Sequence, residues 1–359
     1  MPRAEWHDGR FDRLWVASLT PYKAGSFDVD EDALRRLLRY FLAPKNVAAG
    51  MAVIVNPEAG ELFYLTRQEK RRNVEIALEE SRGKAPLFAG VIDLRTEDVV
   101  RDAKEMAEMG VDGLFVMPPL GAIDITTSWN AQAYPEVWID QVKAIAEEVD
   151  LPMIAHPVAT PNIAYGNGFP LEATLRMCSE VPNMVGWKMT YNWDGARRIA
   201  RGLRSLEAHV GILGAPAVYF HELAATGIFD GTVSGSYNYS LEPMLEHILA
   251  WRRNDLAEAR RIWANGLAEM QEWVYSDYSR LHVRYKLCAW LRGLVAHPYM
   301  RPPMPRPRAD EASIARRLLL GAGLDVVGDD VFRAGIADIE SGRRFTVLRE
   351  APPRAAAAR

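Results

Sequence analysis

Short apolar runs recur along the first two thirds of the chain, and segments of helical length separate them. The runs are continuously apolar rather than alternating with polar residues, which is typical of strands that are covered on both faces in a parallel sheet. The pattern therefore predicts eight strands, at Leu14–Leu19, Met51–Val55, Leu87–Ile92, Gly113–Met117, Pro152–His156, Met184–Lys188, Val210–Leu213 and Gly231–Ser234.

The segments between these strands predict amphipathic helices. One helix start is marked by Thr66 and Glu69, whose spacing matches a capping box that satisfies free backbone amides, and Thr96 marks another. Eight strands that alternate with helices close most naturally into a (β/α)8 barrel. The clearest predicted helices are Glu31–Leu42, Arg67–Ser81, Thr96–Met109, Pro135–Val149 and Leu171–Glu180.

After Ser240 the pattern changes to longer helices. We expect a barrel over residues 10–240, a helical extension over 241–345 and a disordered tail over 346–359. Residues 299–308 contain prolines that remove amide donors and exclude helical backbone at the preceding residues, so this segment is predicted to be an extended, docked connector. Helices are predicted at Glu242–Trp251, Asp255–Trp273 and Leu281–Leu294, and a last one at Ala309–Leu320 is followed by a less regular tail.

Composition excludes several functional classes. The 359 residues carry 43 basic and 47 acidic side chains without a basic stripe, so nucleic acid is not an expected partner. The N-terminus lacks the apolar segment of a signal peptide, and no stretch is apolar for the length of a membrane span, which predicts a soluble, cytoplasmic protein. Cys178 and Cys288 are too few for a disulfide framework or a zinc site, and we expect both to be reduced packing residues.

Lys188 is the strongest candidate for chemistry. It closes an apolar strand, and the carboxyl end of a barrel strand is where catalytic groups lie. Partial burial disfavours the ammonium, which lowers the pKa of a lysine toward the range suited to nucleophilic attack on a carbonyl. The competing interpretation is a lysine that extends from a strand end into water, and position alone leaves both open.

The chain resembles the dihydrodipicolinate synthase/N-acetylneuraminate lyase family, whose members are class I aldolases on a (β/α)8 barrel with a helical C-terminal extension. The matching motifs occur in the family's order across residues 14–305. They are Leu19-Thr-Pro-Tyr22, Gly60-Glu61 with Leu65-Thr66 and Glu69, Val185-Gly-Trp-Lys188 with Thr190, Gly211-Ile-Leu-Gly214, Gly231-Thr-Val-Ser234 with Asn238, and Arg301-Pro-Pro-Met304.

The resemblance implies specific roles. Lys188 would be the Schiff-base residue, and Gly214, Val233 and Ser234 would form backbone walls near a bound keto acid. It also implies a small-molecule carbonyl substrate and a homotetramer or homodimer, with no cofactor and no metal.

The loop after the second strand departs from the family pattern. The family has Gly-Thr-Thr-Gly-Glu or Gly-Ser-Thr-Gly-Glu, whose hydroxyls and amides hold the substrate carboxylate, whereas this chain has Pro57-Glu58-Ala59-Gly60-Glu61. Glu58 and Ala59 remove donors and introduce a negative charge, which is unfavourable for a bound carboxylate unless Glu58 is protonated or turned away.

The proton relay departs as well. His156 stands where the family has a phenol on the fifth strand, and an imidazole is able to move protons near neutral pH. Leu120 replaces a tyrosine expected from a neighbouring subunit, and Ala159–Asn162 lacks an arginine that recognises a second carboxylate, which argues against dihydrodipicolinate synthase activity itself. Aromatic residues near the expected mouth suggest a bulky or aromatic substrate: Trp129, Tyr165, Trp187, Tyr191, Trp193, Tyr237 and Tyr239.

Three hypotheses follow from these residues. The leading one is a carbon–carbon lyase or hydratase-aldolase that uses a Lys188 iminium, with His156 and Glu58 moving protons. The second is a repurposed or inactive family member that binds a small carbonyl metabolite. A metal-dependent barrel ranks last, because the seven histidines show no paired ligand spacing at strand ends.

Overall fold

The computed structural model describes residues 4–119 and 129–342 and confirms the predicted (β/α)8 barrel. Eight parallel strands close around the centre, each hydrogen-bonded to its neighbours, and a short antiparallel hairpin follows the fifth. The strands are β1 (Leu14–Ala17), β2 (Met51–Val55), β3 (Leu87–Val91), β4 (Gly113–Val116), β5 (Met153–Ala155), the hairpin strands β6 (Val158–Asn162) and β7 (Gly166–Gly168), β8 (Met184–Met189), β9 (Gly211–Gly214) and β10 (Gly231–Ser234).

The helices between the strands cover the outside of the barrel. The predicted capping box is present, since the Glu69 amide donates to Thr66 Oγ1 at 3.2 Å and the Thr66 amide donates to Glu69 Oε2 at 2.8 Å. These helices are α1 (Glu31–Phe41), α2 (Pro44–Ala48), α3 (Arg67–Ser81), α4 (Thr96–Met109), α5 (Glu136–Glu148), α6 (Leu171–Glu180), α7 (Trp193–Leu203) and α8 (Phe220–Ala225).

Within the described residues, six α-helices follow the last barrel strand. The long helix predicted over Asp255–Trp273 is interrupted by a π-helical turn, Trp263–Leu267, in which Gly266 has a φ of +84°. A Cβ on Gly266 would meet the backbone of Gly321 at 2.6 Å, so the turn allows two chain segments to pack closely. The helices are α9 (Tyr237–Arg252), α10 (Leu256–Ile262), α11 (Ala268–Tyr275), α12 (Leu281–Leu291), α13 (Ala309–Gly321) and α14 (Asp329–Ser341).

The prediction that α13 is the last helix was wrong, because α14 follows it. Ile339 is the one buried residue of α14, so the segment has a weak apolar pattern. Gly335 allows α14 to lie against the ring of Trp290, where a Cβ would be 2.1 Å from the indole. The predicted disordered tail, 346–359, lies outside the described residues.

Apolar side chains fill the barrel interior below its mouth. Trp15 and Phe88 pack with ring centroids 4.5 Å apart, and the Trp15 indole donates to the Phe11 carbonyl at 3.0 Å. A solid interior leaves the carboxyl ends of the strands as the place for a site. Within residues 4–119 and 129–342, no helix combines the length and the apolarity that crossing a membrane requires.

Candidate active site

Three ionisable side chains from three strand ends meet at the mouth of the barrel. Lys188 lies near the end of β8, His156 directly follows the neighbouring strand β5, and Glu58 begins a 3-10 turn after β2. Lys188 Nζ is 3.1 Å from His156 Nε2, and His156 Nδ1 is 3.2 Å from Glu58 Oε2. Glu58 Oε2 is also 4.0 Å from Lys188 Nζ. The geometry therefore places a carboxylate, an imidazole and an amine in one continuous chain.

Burial tunes the amine of Lys188. Its side chain is only 12% exposed and its Nζ lies 5.7 Å from the centre of the Phe115 ring. Burial disfavours the ammonium and, against the opposing attraction of Glu58, lowers the pKa of Lys188 to about 8. At neutral pH about a tenth of the side chain is then free amine, far more than in an ordinary lysine.

His156 is neutral in this setting. Burial lowers its pKa to about 3, and the charge of Lys188 adds to this effect while Glu58 opposes it. An ammonium has only donors, so Nε2 of His156 accepts from Lys188 and the ring proton is assigned to Nδ1, facing Glu58. With Nε2 as the acceptor, His156 is in the tautomer that is able to take a proton from Lys188, while Nδ1 lies near Glu58 Oε2 without a hydrogen bond to it.

Glu58 is the anion of the group. Burial alone would raise the pKa of its carboxyl, but electrostatic interactions with His156, His282 and Lys188 lower this pKa to about 2, and of these three groups Lys188 carries the positive charge at neutral pH. The carboxylate is therefore ionised at neutral pH and points toward the other two groups.

A cavity of about 220 Å³ opens over these groups. One wall comes from the barrel and the other from the C-terminal helices, which contribute His282 and Tyr285 from α12 and Tyr275 from α11. Among the sequence predictions, His282 was only one of seven histidines without paired metal-ligand spacing, although its place one helical turn from Tyr278 and Tyr285 could have indicated a shared face. The imidazole of His282 forms no hydrogen bond within the described parts of the chain, and burial lowers its pKa.

Five of the seven predicted site residues line this cavity, namely Glu58, Ala59, His156, Lys188 and Val233. The other two lie beside it, with their following residues, Ala215 and Gly235, in the lining.

Local contacts explain the positions of Gly214 and Ser234. A Cβ on Gly214 would be 2.2 Å from the ring of Phe229, so this glycine allows an aromatic side chain to approach the strand. The hydroxyl oxygen of Ser234 accepts from the amide of Ser236 at 3.2 Å, which stabilises the turn into α9.

The predicted set of mouth aromatics was wrong. None of the seven is part of the described cavity wall, and several pack elsewhere; for example, the Trp187 indole donates to the Tyr191 hydroxyl at 2.8 Å. A different set, Tyr275, Tyr278 and Tyr285, occupies the wall. Leu120 lies outside the described residues.

A buried ionic network holds the loop that carries Glu58. Glu61, three residues later, pairs with the ammonium of Lys286 from α12, and both side chains are fully buried. The backbone amide of Arg301 donates to Glu61 Oε2 at 2.8 Å, and its guanidinium pairs with Glu69 at 2.7 Å. The extension and the connector are therefore fastened to the loop at the site.

The described residues contain one cluster of three metal-ligand side chains, Asp12, His209 and Asp230. It lies at the amino ends of the strands, away from the cavity. His209 and Asp12 contact each other at 2.8 Å, and Asp230 accepts from Arg204 and from the amide of Ile212. These atoms hold loops together at the closed end of the barrel.

Comparisons with known proteins agree with this architecture. A model of the "Dihydrodipicolinate synthetase family" matches residues 10–319. An uncharacterized DapA-like lyase from Thermofilum pendens is 26% identical over 86% of this chain and 96% of its own. A 4-hydroxy-tetrahydrodipicolinate synthase from Salinibacter ruber is 28% identical over 89% of this chain and 98% of its own. The crystal structure of dihydrodipicolinate synthase from Aquifex aeolicus superposes with a TM-score of 0.71 at 22% identity, covering 89% of this chain and all of the other.

Proposed function

The chain belongs to the dihydrodipicolinate synthetase family and is an aldolase-type lyase, and on that premise we propose that Lys188 forms a Schiff base with a small carbonyl substrate. One observation carries this proposal: the Lys188 amine lies 3.1 Å from a neutral imidazole that is itself 3.2 Å from a carboxylate. A lysine that merely extended into water would have neither a base nor a lowered pKa.

The proposed reaction begins with proton transfer from the Lys188 ammonium to Nε2 of His156, and Glu58 stabilises the imidazolium. The free amine attacks the carbonyl carbon, and one amine proton passes to the carbonyl oxygen to give a hydroxyl. The imidazolium then returns its proton to this hydroxyl as it departs, so that water and an iminium form. His156 then removes the proton of a β-hydroxyl group. The carbon–carbon bond breaks, an aldehyde leaves and the bonding electrons form an enamine.

Release completes the proposed cycle. The enamine carbon takes a proton from His156, and water hydrolyses the iminium to return the amine of Lys188.

The extension over residues 241–345 would complete the site, because His282 and Tyr285 form part of its wall. We also propose a homodimer or homotetramer, as the family resemblance implies.

Borohydride trapping tests the proposal. Reduction in the presence of ketones and keto acids should add the mass of one reduced carbonyl compound to the peptide that contains Lys188, because borohydride converts an iminium to a stable amine. Peptide mass spectrometry measures the adduct. Absence of an adduct on Lys188 with every carbonyl compound in the panel would refute the Schiff base.

Imine formation should depend on pH in a way that reports the lowered pKa of Lys188. The free amine increases as the pH rises through the pKa of the folded protein, so the rate should rise between pH 6 and 8 and level off above about pH 9, rather than near the ordinary lysine value of about 10.4. The Glu58 carboxylate raises this pKa, and Glu58→Gln should therefore move the midpoint to lower pH. Exchange of α-protons of a ketone with D2O, followed by NMR, measures the rate. A midpoint near 10 would contradict the proposed amine.

A further inference from the structure

We propose that the carbonyl compound bound by Lys188 carries no carboxylate next to its carbonyl group, and that Glu58 is the residue that selects this uncharged substrate. The inference rests on the proposed Schiff base and specifies its substrate class as ketones and aldehydes without an α-carboxylate. It thereby separates this site from the pyruvate-type chemistry that the family resemblance implies.

The position of Glu58 supports this assignment. Its Oε2 atom lies 4.0 Å from the Nζ atom that would bond to the substrate carbon. A carboxylate on that carbon would lie a few ångströms from Glu58, where like charges repel by several times the thermal energy even at an effective dielectric constant of about 20. Two ways to avoid the repulsion are a protonated Glu58 and a Glu58 turned away. The side chain faces His156 at 3.2 Å and its pKa is lowered, so neither applies.

The charge balance of the cavity supports it as well. Lys188 is the only lysine in the described lining, and no arginine is part of that lining. The two histidines there, His156 and His282, both have lowered pKa values and add no positive charge at neutral pH. An iminium on Lys188 is therefore balanced by Glu58 alone, and an α-carboxylate would add a second, uncompensated negative charge.

Free side-chain hydroxyls that could hold a carboxylate are also missing from this part of the described cavity wall. Ala59, beside Glu58, has no hydroxyl and lines the cavity. The Thr20 hydroxyl is already used, since it donates to the Gly60 carbonyl at 2.7 Å. Buried carboxylates require hydrogen-bond donors or cations, and this part of the cavity offers a carboxylate instead.

Pyruvate and methyl pyruvate form a matched pair of probes, because the ester has the same ketone without the charge. Reductive trapping of each on Lys188 is measured in the wild type and in Glu58→Gln, which removes the charge and keeps the shape. The ester is intrinsically more reactive than pyruvate, and any change in His156 affects the trapping of both probes. The measured quantity is therefore the ratio of the ester trapping rate to the pyruvate trapping rate, compared between the wild type and Glu58→Gln. We expect that ratio to fall by about tenfold or more in Glu58→Gln.

Two further variants sharpen the experiment. Asp194→Asn removes an exposed carboxylate at the start of α7, outside the cavity lining, and should leave the ratio unchanged. Glu58→Thr supplies a hydroxyl donor and should increase pyruvate trapping over the wild type, which tests the idea independently if Glu58→Gln does not fold. An adduct on Lys188 whose ratio is the same in the wild type and the Glu58 variants overturns this inference alone. No adduct on Lys188 with these two probes or with any other carbonyl compound of the panel overturns the Schiff base and, with it, the inference.

Discussion

Replacing Lys188 with methionine should lower the rate of α-proton exchange by at least about 10⁴-fold, because the enamine that loses and regains these protons cannot form without a covalent bond to the amine. Methionine has a similar length and no nucleophile, so the substitution removes the chemistry with little change in volume. The side chain is mostly buried at the end of β8, and its removal also relieves the cost of burying a charge. The measurement is the loss of methyl proton signal from methyl pyruvate and from pyruvate in D2O.

Two variants separate this result from a general loss of structure. Lys143→Met removes a lysine that is 35% exposed and pairs with Glu180 on the outside of the barrel, and exchange should stay at the wild-type rate. His156→Gln keeps Lys188 and should still allow borohydride trapping, while exchange falls by about 10²-fold because the base is lost. A folded Lys188→Met protein that exchanges protons at the wild-type rate would show that the amine has no covalent role.

The barrel could be predicted from the sequence because its strands are buried on both faces. Such strands appear as uninterrupted apolar runs, and β2 and β10 match their predicted bounds to the residue. The others differ by one or two residues at their ends, where local hydrogen bonding rather than apolar pattern decides where a strand stops. α14 was missed for the opposite reason, since a helix that buries little has little pattern to detect.

The cluster of the Lys188, His156 and Glu58 side chains could also be predicted in part. Each residue lies at or just after the carboxyl end of an apolar strand, and the carboxyl ends of barrel strands converge at one mouth. The distances among them depend on the register between β5 and β8, where Ala155 is opposite Trp187, and a sequence does not state register. Gly214 and Ser234 illustrate the limit, because packing against Phe229 and a turn hydrogen bond, rather than a ligand, explain their immediate surroundings.

The wall formed by the extension could not be predicted. His282 and Tyr285 reach the cavity because α12 is anchored there by Lys286, whose partner Glu61 is 225 residues away in sequence. No local pattern reports so distant a contact. The aromatic residues that were predicted to line the mouth were close to the barrel strands in sequence, whereas the aromatic residues of the observed wall come from helices far along the chain.

Replacing Lys286 with methionine should destabilise the protein by about 3–5 kcal/mol, because it leaves the carboxylate of Glu61 buried without its cation. Both side chains are almost completely inaccessible, and the ammonium also lies 4.3 Å from the centre of the Tyr22 ring. Burial lowers the pKa of Lys286 and raises that of Glu61, so the charged form of each group depends on the opposite charge of its partner. The midpoint of thermal unfolding, followed by circular dichroism, should fall by roughly 4–7 °C.

Two comparisons identify the cause of this loss. Lys104→Met breaks a surface pair with Glu148, in which Nζ and Oε2 are 2.6 Å apart and both side chains are about half exposed, and should cost less than about 1 kcal/mol. The double variant Glu61→Gln with Lys286→Met removes the stranded charge and should be more stable than Lys286→Met alone. Equal midpoints for the single and double variants would mean that lost packing, not an unpaired carboxylate, accounts for the effect. If Lys286→Met unfolds at the same midpoint temperature as Lys104→Met, α12 is held at the mouth by contacts other than the Lys286–Glu61 ion pair.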